Sequence, residues 1–475
     1  MKLARSILKL FSAKVFTTFL QIVAIAYFAR ELGASSLGVF FLFQALIGML
    51  SIPADAGISK ATEKRISEGA YQGNFLASAA AVKTAPVLVI GILVIYFQDI
   101  VNNYLGEEVA VLLAVAIAIQ QIYTLSISTL KGELRVGEIG TISSVHKVAW
   151  VVISFILVSI GLGVTGLIYG LIAGNILAGL ISWYKISVVP KRPTLNHAQS
   201  LFEYGKFDLV SSIGGYFYNW MDVVLIGFFL TQSHVAAYEV AWRVTTAIIL
   251  LSRSIATTIF PQISEWDSDD ARSNIEELIP KVLTPSLLFV IPAFFGTVLL
   301  SEEILSLVFG EEYAIAALAL VILMFDRVTE AFQLIIGRSL QAINRPDLAA
   351  RATVFGVILN LTLNIILIPT LGIVGAAVGT MIASLIGGLI LHSYYLSKFI
   401  NINVPYRELA GCVSASAGMS VIVFTLQTLA DVDGILKLLL LIGMGASVYV
   451  LLLLLFPMFR SKAFTQTSTI LVDKS

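Results

Sequence analysis

Residues 162–181 read LGVTGLIYGLIAGNILAGLI, and residues 371–390 read LGIVGAAVGTMIASLIGGLI. Neither stretch contains Asp, Glu, Lys or Arg, and twenty residues of helix cover ~30 Å, the thickness of a bilayer's hydrocarbon core. Each therefore reads as a membrane-spanning helix. The two align without a gap at an offset of 209 residues, so that Leu162, Gly163, Gly166, Gly170, Gly179, Leu180 and Ile181 recur as Leu371, Gly372, Gly375, Gly379, Gly388, Leu389 and Ile390. Small residues at such spacing let helices approach closely in any membrane protein. A run of matches at one offset points further, to an internal duplication.

Working outward from this pair, the same length criterion places fourteen spans, near 8–29, 37–56, 75–97, 108–130, 141–161, 164–185, 204–230, 235–260, 277–300, 313–337, 348–369, 373–397, 407–430 and 434–457. The composition agrees, because 58% of the 475 residues are hydrophobic and only 13% charged, more apolar surface than a soluble core can hide. The apolar stretch from Phe11 to Ala29 follows Lys2, Arg5 and Lys9, as in a secretory signal, but it is too long for a signal core and leads into another apolar span. It reads as the first transmembrane helix. The expected fold class is thus an all-α polytopic membrane protein of about fourteen transmembrane helices.

Loop charges set the orientation, since Lys and Arg collect on the cytoplasmic side. The amino terminus, the loops with Lys60, Lys64 and Arg65, with Lys131 and Arg135, with Lys191 and Arg192, with Arg338 and Arg345, and with Lys398, and the tail with Arg460 and Lys462 fall on one face. The opposite connections carry Asp99, Glu107, Glu108, Glu302, Glu303, Glu311 and Glu312 with no Lys or Arg. Both termini are expected in the cytoplasm. Two parallel six-helix repeats then occupy residues 1–200 and 201–400, with two further helices and the tail in 401–475.

A charge at the centre of a spanning helix costs ~2.5–3.5 kcal/mol, so such residues should face a polar interior or a partner. On a straight helix over 235–260, Glu239, Arg243 and Arg253 lie at 0°, about +40° and about −40°, on one face. The preceding span aligns Asp208, Ser212, Gly215, Asn219 and Asp222, and 313–337 aligns Asp326, Glu330 and Gln333, with Arg327 about 100° away. Lys14, Thr18 and Gln21 share a face of the first span; Lys83 stands alone in the third. Two of these arrangements, Glu239 with Arg243 and Arg327 with Glu330, have the spacing of intrahelical ion pairs. Lys14 and Lys83 fit either snorkelling to the surface or the polar interior. Arg253 has no partner in its own helix, and its planar fork suits a phosphate. Asn360 and Asn364 suit interhelical hydrogen bonds.

Signatures of other functions are weak. Formal charge is zero, with 30 basic and 30 acidic residues, so no basic field suggests nucleic acid. Cys412 is the single cysteine, and His146, His197, His234 and His392 lack metal-ligand spacing, so no metal site, cofactor or catalytic set is expected. Asp267 with Asp269 and Asp431 with Asp433 have the spacing of a sugar-nucleotide enzyme's carboxylates, but sit in short polar connections. No phosphate-binding Gly-rich loop ends in Lys and Ser or Thr.

Ala29-Arg30-Glu31-Leu32-Gly33-Ala34-Ser35-Ser36-Leu37-Gly38-Val39-Phe40, Asp55-Ala56-Gly57-Ile58-Ser59, Phe260-Pro261-Gln262-Ile263-Ser264 and Ile368-Pro369-Thr370-Leu371-Gly372, with Asp222 and Ala237-Tyr238, occur in an order that resembles the polysaccharide transporter branch of the multidrug/oligosaccharidyl-lipid/polysaccharide exporter superfamily, which includes Wzx-type O-antigen flippases. The resemblance implies two six-helix bundles around a central cavity and a multi-pass protein of the cytoplasmic membrane. It implies alternating access, with the headgroup of a polyprenyl- or dolichyl-phosphate-linked glycan crossing while its tail stays among membrane lipids. Glycan-synthesis machinery is the implied protein partner. Arg30, Arg243, Arg253, Lys14, Lys83 and Arg327 are then candidates to contact the substrate; Asp55, Asp222, Glu239 and Asp326 are candidates for charge balance or for coupling to protons or sodium. An ion-coupled exporter of drugs or cations, and a membrane glycan transferase or ligase, are the competing readings.

Overall fold

The structure, a computed structural model, describes the backbone of residues 2–429 and 432–460 and the side chains of residues 16–206, 220–429 and 432–460. Among these there are helices and connections and no strand. Each of the fourteen expected spans falls largely on described helix, but the helices run past it by as many as nine residues, at Leu195 and Phe309, and 235–260 and 277–300 each fall on two helices. By length and apolar content ten described helices can cross a membrane, or eleven with one bent pair taken as a span. The run Phe16–Asp55 counts once there, although its 40 residues extend ~60 Å, enough for two crossings. The chain is a multi-pass membrane protein. Large apolar side chains that a soluble protein would bury face outward, Leu436 at 72% exposure and Ile366 at 58%, as contact with lipid tails requires.

The chain divides into two compact units, Met1–Glu239 and Val240–Ser475. In the first, α1 (Lys2–Asp55) is broken at Gly33, whose φ of 77° and ψ of 169° lie outside the helical region and are open to glycine at little cost. Next come α2 (Ile58–Ser67), α3 (Gln72–Tyr96), α4 (Gln98–Leu105), α5 (Ala110–Gly132), α6 (Val136–Ser159), α7 (Gly163–Lys185) and α8 (Leu195–Phe229). The helix α9 (Gln232–Ile248) crosses the division. The second unit continues with α10 (Leu250–Ser268), α11 (Arg272–Leu287), α12 (Val290–Phe309), α13 (Ala317–Ala342) and α14 (Pro346–Leu371). Then α15 (Ile373–Ala383) runs through a π-helical turn at Ser384–Ile390 into α16 (Leu391–Leu396), followed by α17 (Tyr406–Leu429) and α18 (Ile435–Leu454).

The two matching stretches pack in the same way, one in each unit. In the first, α7 packs on α6 through its glycine row; a Cβ on Gly170 would lie 2.0 Å from Ser154 Oγ, and one on Gly174 3.0 Å from the His146 carbonyl. In the second, α15 packs on α14, and a Cβ on Gly375 would lie 2.2 Å from the Leu367 carbonyl and one on Gly379 2.8 Å from Asn364 Oδ1. Adding even a methyl group would force these pairs apart. Buried Ile275, Ile279, Leu283, Ile335 and Leu340 fill the space among α10, α11 and α13. Cys412, Met419, Leu441 and Tyr449 join α17 and α18 to α12, and Tyr449 Oη donates to the Leu288 carbonyl at 3.0 Å.

Candidate functional site

Two charged clusters stand out among the described residues, one in each unit. The first begins where α1 ends. Ala56 (φ 48°) and Gly57 (φ 74°) turn the backbone sharply into α2, which leaves Asp55 facing the first turn of that helix. Its carboxylate accepts from the Ser59 amide at 3.3 Å and from the Ser59 hydroxyl. Lys83 reaches in from α3, donating to Asp55 Oδ1 at 2.6 Å, Ser59 Oγ at 2.9 Å and the Gln121 carbonyl at 3.4 Å. Gln121 in turn donates from Nε2 to the Ser51 carbonyl at 3.3 Å. Lys83 is 4% exposed, so the snorkelling alternative is overturned; a partner 28 residues away in sequence holds it inside. Its ammonium, with three donors, has three oxygen acceptors within hydrogen-bond distance.

The second cluster lies on α13. Asp326 and Arg327 are essentially sealed, at 0% and 1% exposure, and Glu330 is 8% exposed. Arg327 bonds to one oxygen of Glu330 and lies 3.2 Å from Asp326 Oδ2, while its guanidinium carbon stands 4.2 Å from the centre of the Trp242 ring. The expected intrahelical pair of Arg327 with Glu330 is present. Thr329 donates to Asp326 Oδ1 at 3.3 Å and meets Ser384 Oγ at 3.1 Å, at the start of the π-helical turn. The other oxygen of Glu330 accepts from Arg253 Nη2 of α10 at 2.9 Å. The Arg253 side chain is 50% exposed, and this is its single side-chain bond among the described residues. Arg253, which lacks a partner in its own helix, thus finds one 77 residues away.

The one-face alignment of Glu239, Arg243 and Arg253 does not hold. It assumed a straight helix, whereas α9 and α10 meet at a 50° bend. Just before the bend Thr245 and Thr246 both donate to the Trp242 carbonyl, at 2.8 and 2.9 Å, a back-bonding that favours bending. Glu239 is buried and Arg243 half-buried in α9; Arg253 belongs to the next segment.

Of the remaining candidates, Arg30 is exposed three residues before the Gly33 break. Asp222 is buried and accepts from Tyr238 Oη at 2.6 Å. The side chains of Lys14, Asp208, Ser212 and Asn219, the glycine Gly215, and residues Asp431 and Lys462 lie outside the described residues. Asn360 donates to Thr380 Oγ1 at 3.1 Å, joining α14 to α15 as interhelical hydrogen bonding requires. Of two polar residues inside α6, Lys147 went unremarked in the sequence and His146 was weighed there only as a metal ligand. Lys147 donates to Gln21 Oε1 at 2.7 Å, tying α6 to α1, and His146 stacks on Tyr123 with 5.5 Å between ring centres. Their signal was available, since both fall within the span expected at 141–161. No group of three or more His, Cys, Asp or Glu side chains is placed to hold a metal ion among the described residues.

Comparison with known proteins places this architecture among characterised families. A family model described as "Polysaccharide biosynthesis protein" matches residues 27–318. The "Probable low-salt glycan biosynthesis flippase Agl15" of Haloferax volcanii is 48% identical over 464 residues, covering 98% of each chain. Among solved structures, "Lipid II flippase MurJ, inward closed conformation" superimposes with a TM-score of 0.82 at 19% identity, covering 96% of this chain and 99% of that one. An inward-facing multidrug resistance MATE transporter gives 0.57 at 16% identity, covering 80% of this chain and 95% of that one. These structural likenesses are likenesses of fold.

Proposed function

The chain belongs to the polysaccharide biosynthesis protein family, and from that premise we propose that it is a flippase for a polyisoprenyl-phosphate-linked sugar or oligosaccharide, serving surface polysaccharide assembly or protein glycosylation. The observation that carries the reading is the 48% identity, across 98% of both chains, to a probable glycan biosynthesis flippase. The carrier is an undecaprenyl or dolichyl chain, the membrane is the cytoplasmic one with both termini inside, and the glycan-synthesis machinery supplies the substrate. Lys and Arg gathered mainly in alternate loops, with Arg30 the exception in the first opposite connection, support that orientation. Two six-helix repeats plus two helices work by alternating access, coupled to protons or sodium or driven by the substrate gradient.

The physical problem is the phosphate. An anion in hydrocarbon is prohibitively costly, whereas cations beside water replace its hydration. Arg253, half-exposed inside a membrane-spanning segment and with one donor engaged, meets that need; Arg30 and Arg243 are assigned the same task. Lys83 and Arg327, sealed by Asp55 and by Asp326 and Glu330, hold the interior charge in balance. A transporter needs no catalytic group.

The test is deletion of the gene followed by analysis of the sidedness of lipid-linked sugars. Complete precursor should accumulate on the cytoplasmic leaflet, restored to the outer leaflet by wild type and poorly by Arg253→Ala. Normal precursor sidedness in the deletion strain would sink the flippase reading and leave the drug or cation exporter in its place.

A further inference from the structure

The second cluster has an asymmetry that its charge balance conceals. Two arginines and two carboxylates sum to zero, yet the two arginines stand differently toward Glu330. Arg327 has no exposure to lose, lies against the Trp242 ring and contacts both Asp326 and Glu330. Arg253 is half-exposed, engages Glu330 through Nη2, and has its Nε and Nη1 donors unengaged among the described residues. Glu330 is thus anchored on one oxygen by a cation that cannot leave and is bonded on the other to one that can. A guanidinium has five N–H donors in a planar fork that fits a phosphate bidentately.

We propose that Glu330 is an internal anion that occupies Arg253 when no substrate is bound and competes with the substrate's phosphate for it, so that it sets the headgroup's affinity and assists its release. This rests on the flippase reading for the nature of the anion. An arriving phosphate takes Arg253 as a bidentate partner; Glu330 stays behind on Arg327 and is never left as an unpaired buried charge, the state that costs most. As the phosphate departs, Glu330 recaptures the arginine, and no cation in the pathway is left bare to hold the product. Glu330 is therefore a positioning residue, acting on substrate through Arg253.

The experiment uses the purified full-length chain in detergent, with geranylgeranyl diphosphate as probe, and a proteoliposome flipping assay with dolichyl-phosphate-linked sugar. Glu330→Gln removes the competitor, and the probe's Kd should fall about 3- to 5-fold, the weight of a half-exposed ion pair. In flipping, KM should fall and kcat fall with it, because release slows. Glu330→Asp guards against misfolding. It keeps the charge beside Arg327 but withdraws it from Arg253, and it should tighten binding in the same direction. Arg253→Gln should weaken binding about 10-fold or more, as expected for a lost charged hydrogen bond, and adding Glu330→Gln to it should change Kd less than about 2-fold if the two residues act through one contact. Should both Glu330 variants leave binding unchanged or weaken it, Glu330 merely supports Arg253 and the inference falls while the flippase reading stands. Should wild type bind no diphosphate and flip nothing, the flippase reading fails, and the inference with it.

Discussion

Lys83 of α3 and Arg253 of α10 are both cations bonded to a carboxylate from another helix, and they differ in access. Lys83 is 4% exposed with oxygen acceptors of Asp55, Ser59 and Gln121 within hydrogen-bond distance. The Arg253 side chain is 50% exposed and bonded once to Glu330. A sealed pair contributes order and has nothing left to offer a ligand. An open pair contributes little to stability and can exchange its partner. Charge inside a membrane protein is therefore not by itself a sign of binding; the sign is charge whose partner can be replaced.

The largest effect expected from this contrast is in stability at the sealed pair, and it is unequal between the two partners. Asp55→Asn strands a buried ammonium and should cost ~3–5 kcal/mol. Lys83→Met strands a carboxylate that is 21% exposed and still bonded by Ser59, so its cost should be smaller. The double variant should recover most of the Asp55→Asn loss. Denaturant or thermal unfolding in detergent measures all three; equal costs for the two single variants would show that Lys83 is less sealed than its geometry indicates.

Next comes Arg327→Lys. The charge is kept, but an ammonium loses the planar face against Trp242 and the spread needed to contact Asp326 and Glu330 together. A loss of ~2–3 kcal/mol is expected, below the ~3–5 kcal/mol of a buried pair that loses one charge, because the lysine keeps its charge. By contrast Arg253→Gln should leave the unfolding midpoint nearly unchanged, since half-exposed pairs contribute ~0–1 kcal/mol, while flipping falls about 10-fold or more if the guanidinium meets the phosphate. A large drop in stability with Arg253→Gln would erase the distinction between the two clusters.

Much of this arrangement was visible in the sequence, and the limits have physical causes. Helices were legible because ~20 apolar residues are needed to cross a bilayer whatever the tertiary context. The matching glycine rows were legible because Gly170 and Gly379 approach Ser154 and Asn364 closely, and such packing calls for small residues at that spacing. Individual charges were legible as anomalies in apolar runs. Their pairing was not, because Asp55 with Lys83 and Arg253 with Glu330 are joined across 28 and 77 residues, and periodicity within one helix carries no information about its neighbour. The bend between α9 and α10 was hidden for another reason, as no Pro or Gly marks residues 244–252.

The smallest expected effect sets the lower end of the same scale. Asp433, in the connection before α18, bonds to Lys437 at 2.8 Å with both side chains more than half exposed. Hydrogen bonding and the charge of that lysine hold its carboxyl below the usual carboxylate range. A depressed carboxyl pKa contributes stability that is present above the unfolded value and is lost as the pH falls through the folded one, so any contribution of Asp433 should disappear on acidification. Solvent screening of so exposed a pair leaves that contribution too small to resolve, and the pH dependence of the unfolding midpoint for Asp433→Asn should overlay that of wild type. If Asp433→Asn instead shifted the acid limb by as much as Asp55→Asn, exposure would not be what separates the pairs, and the ranking from Lys83 through Arg253 to Lys437 would have to be rebuilt on some other property.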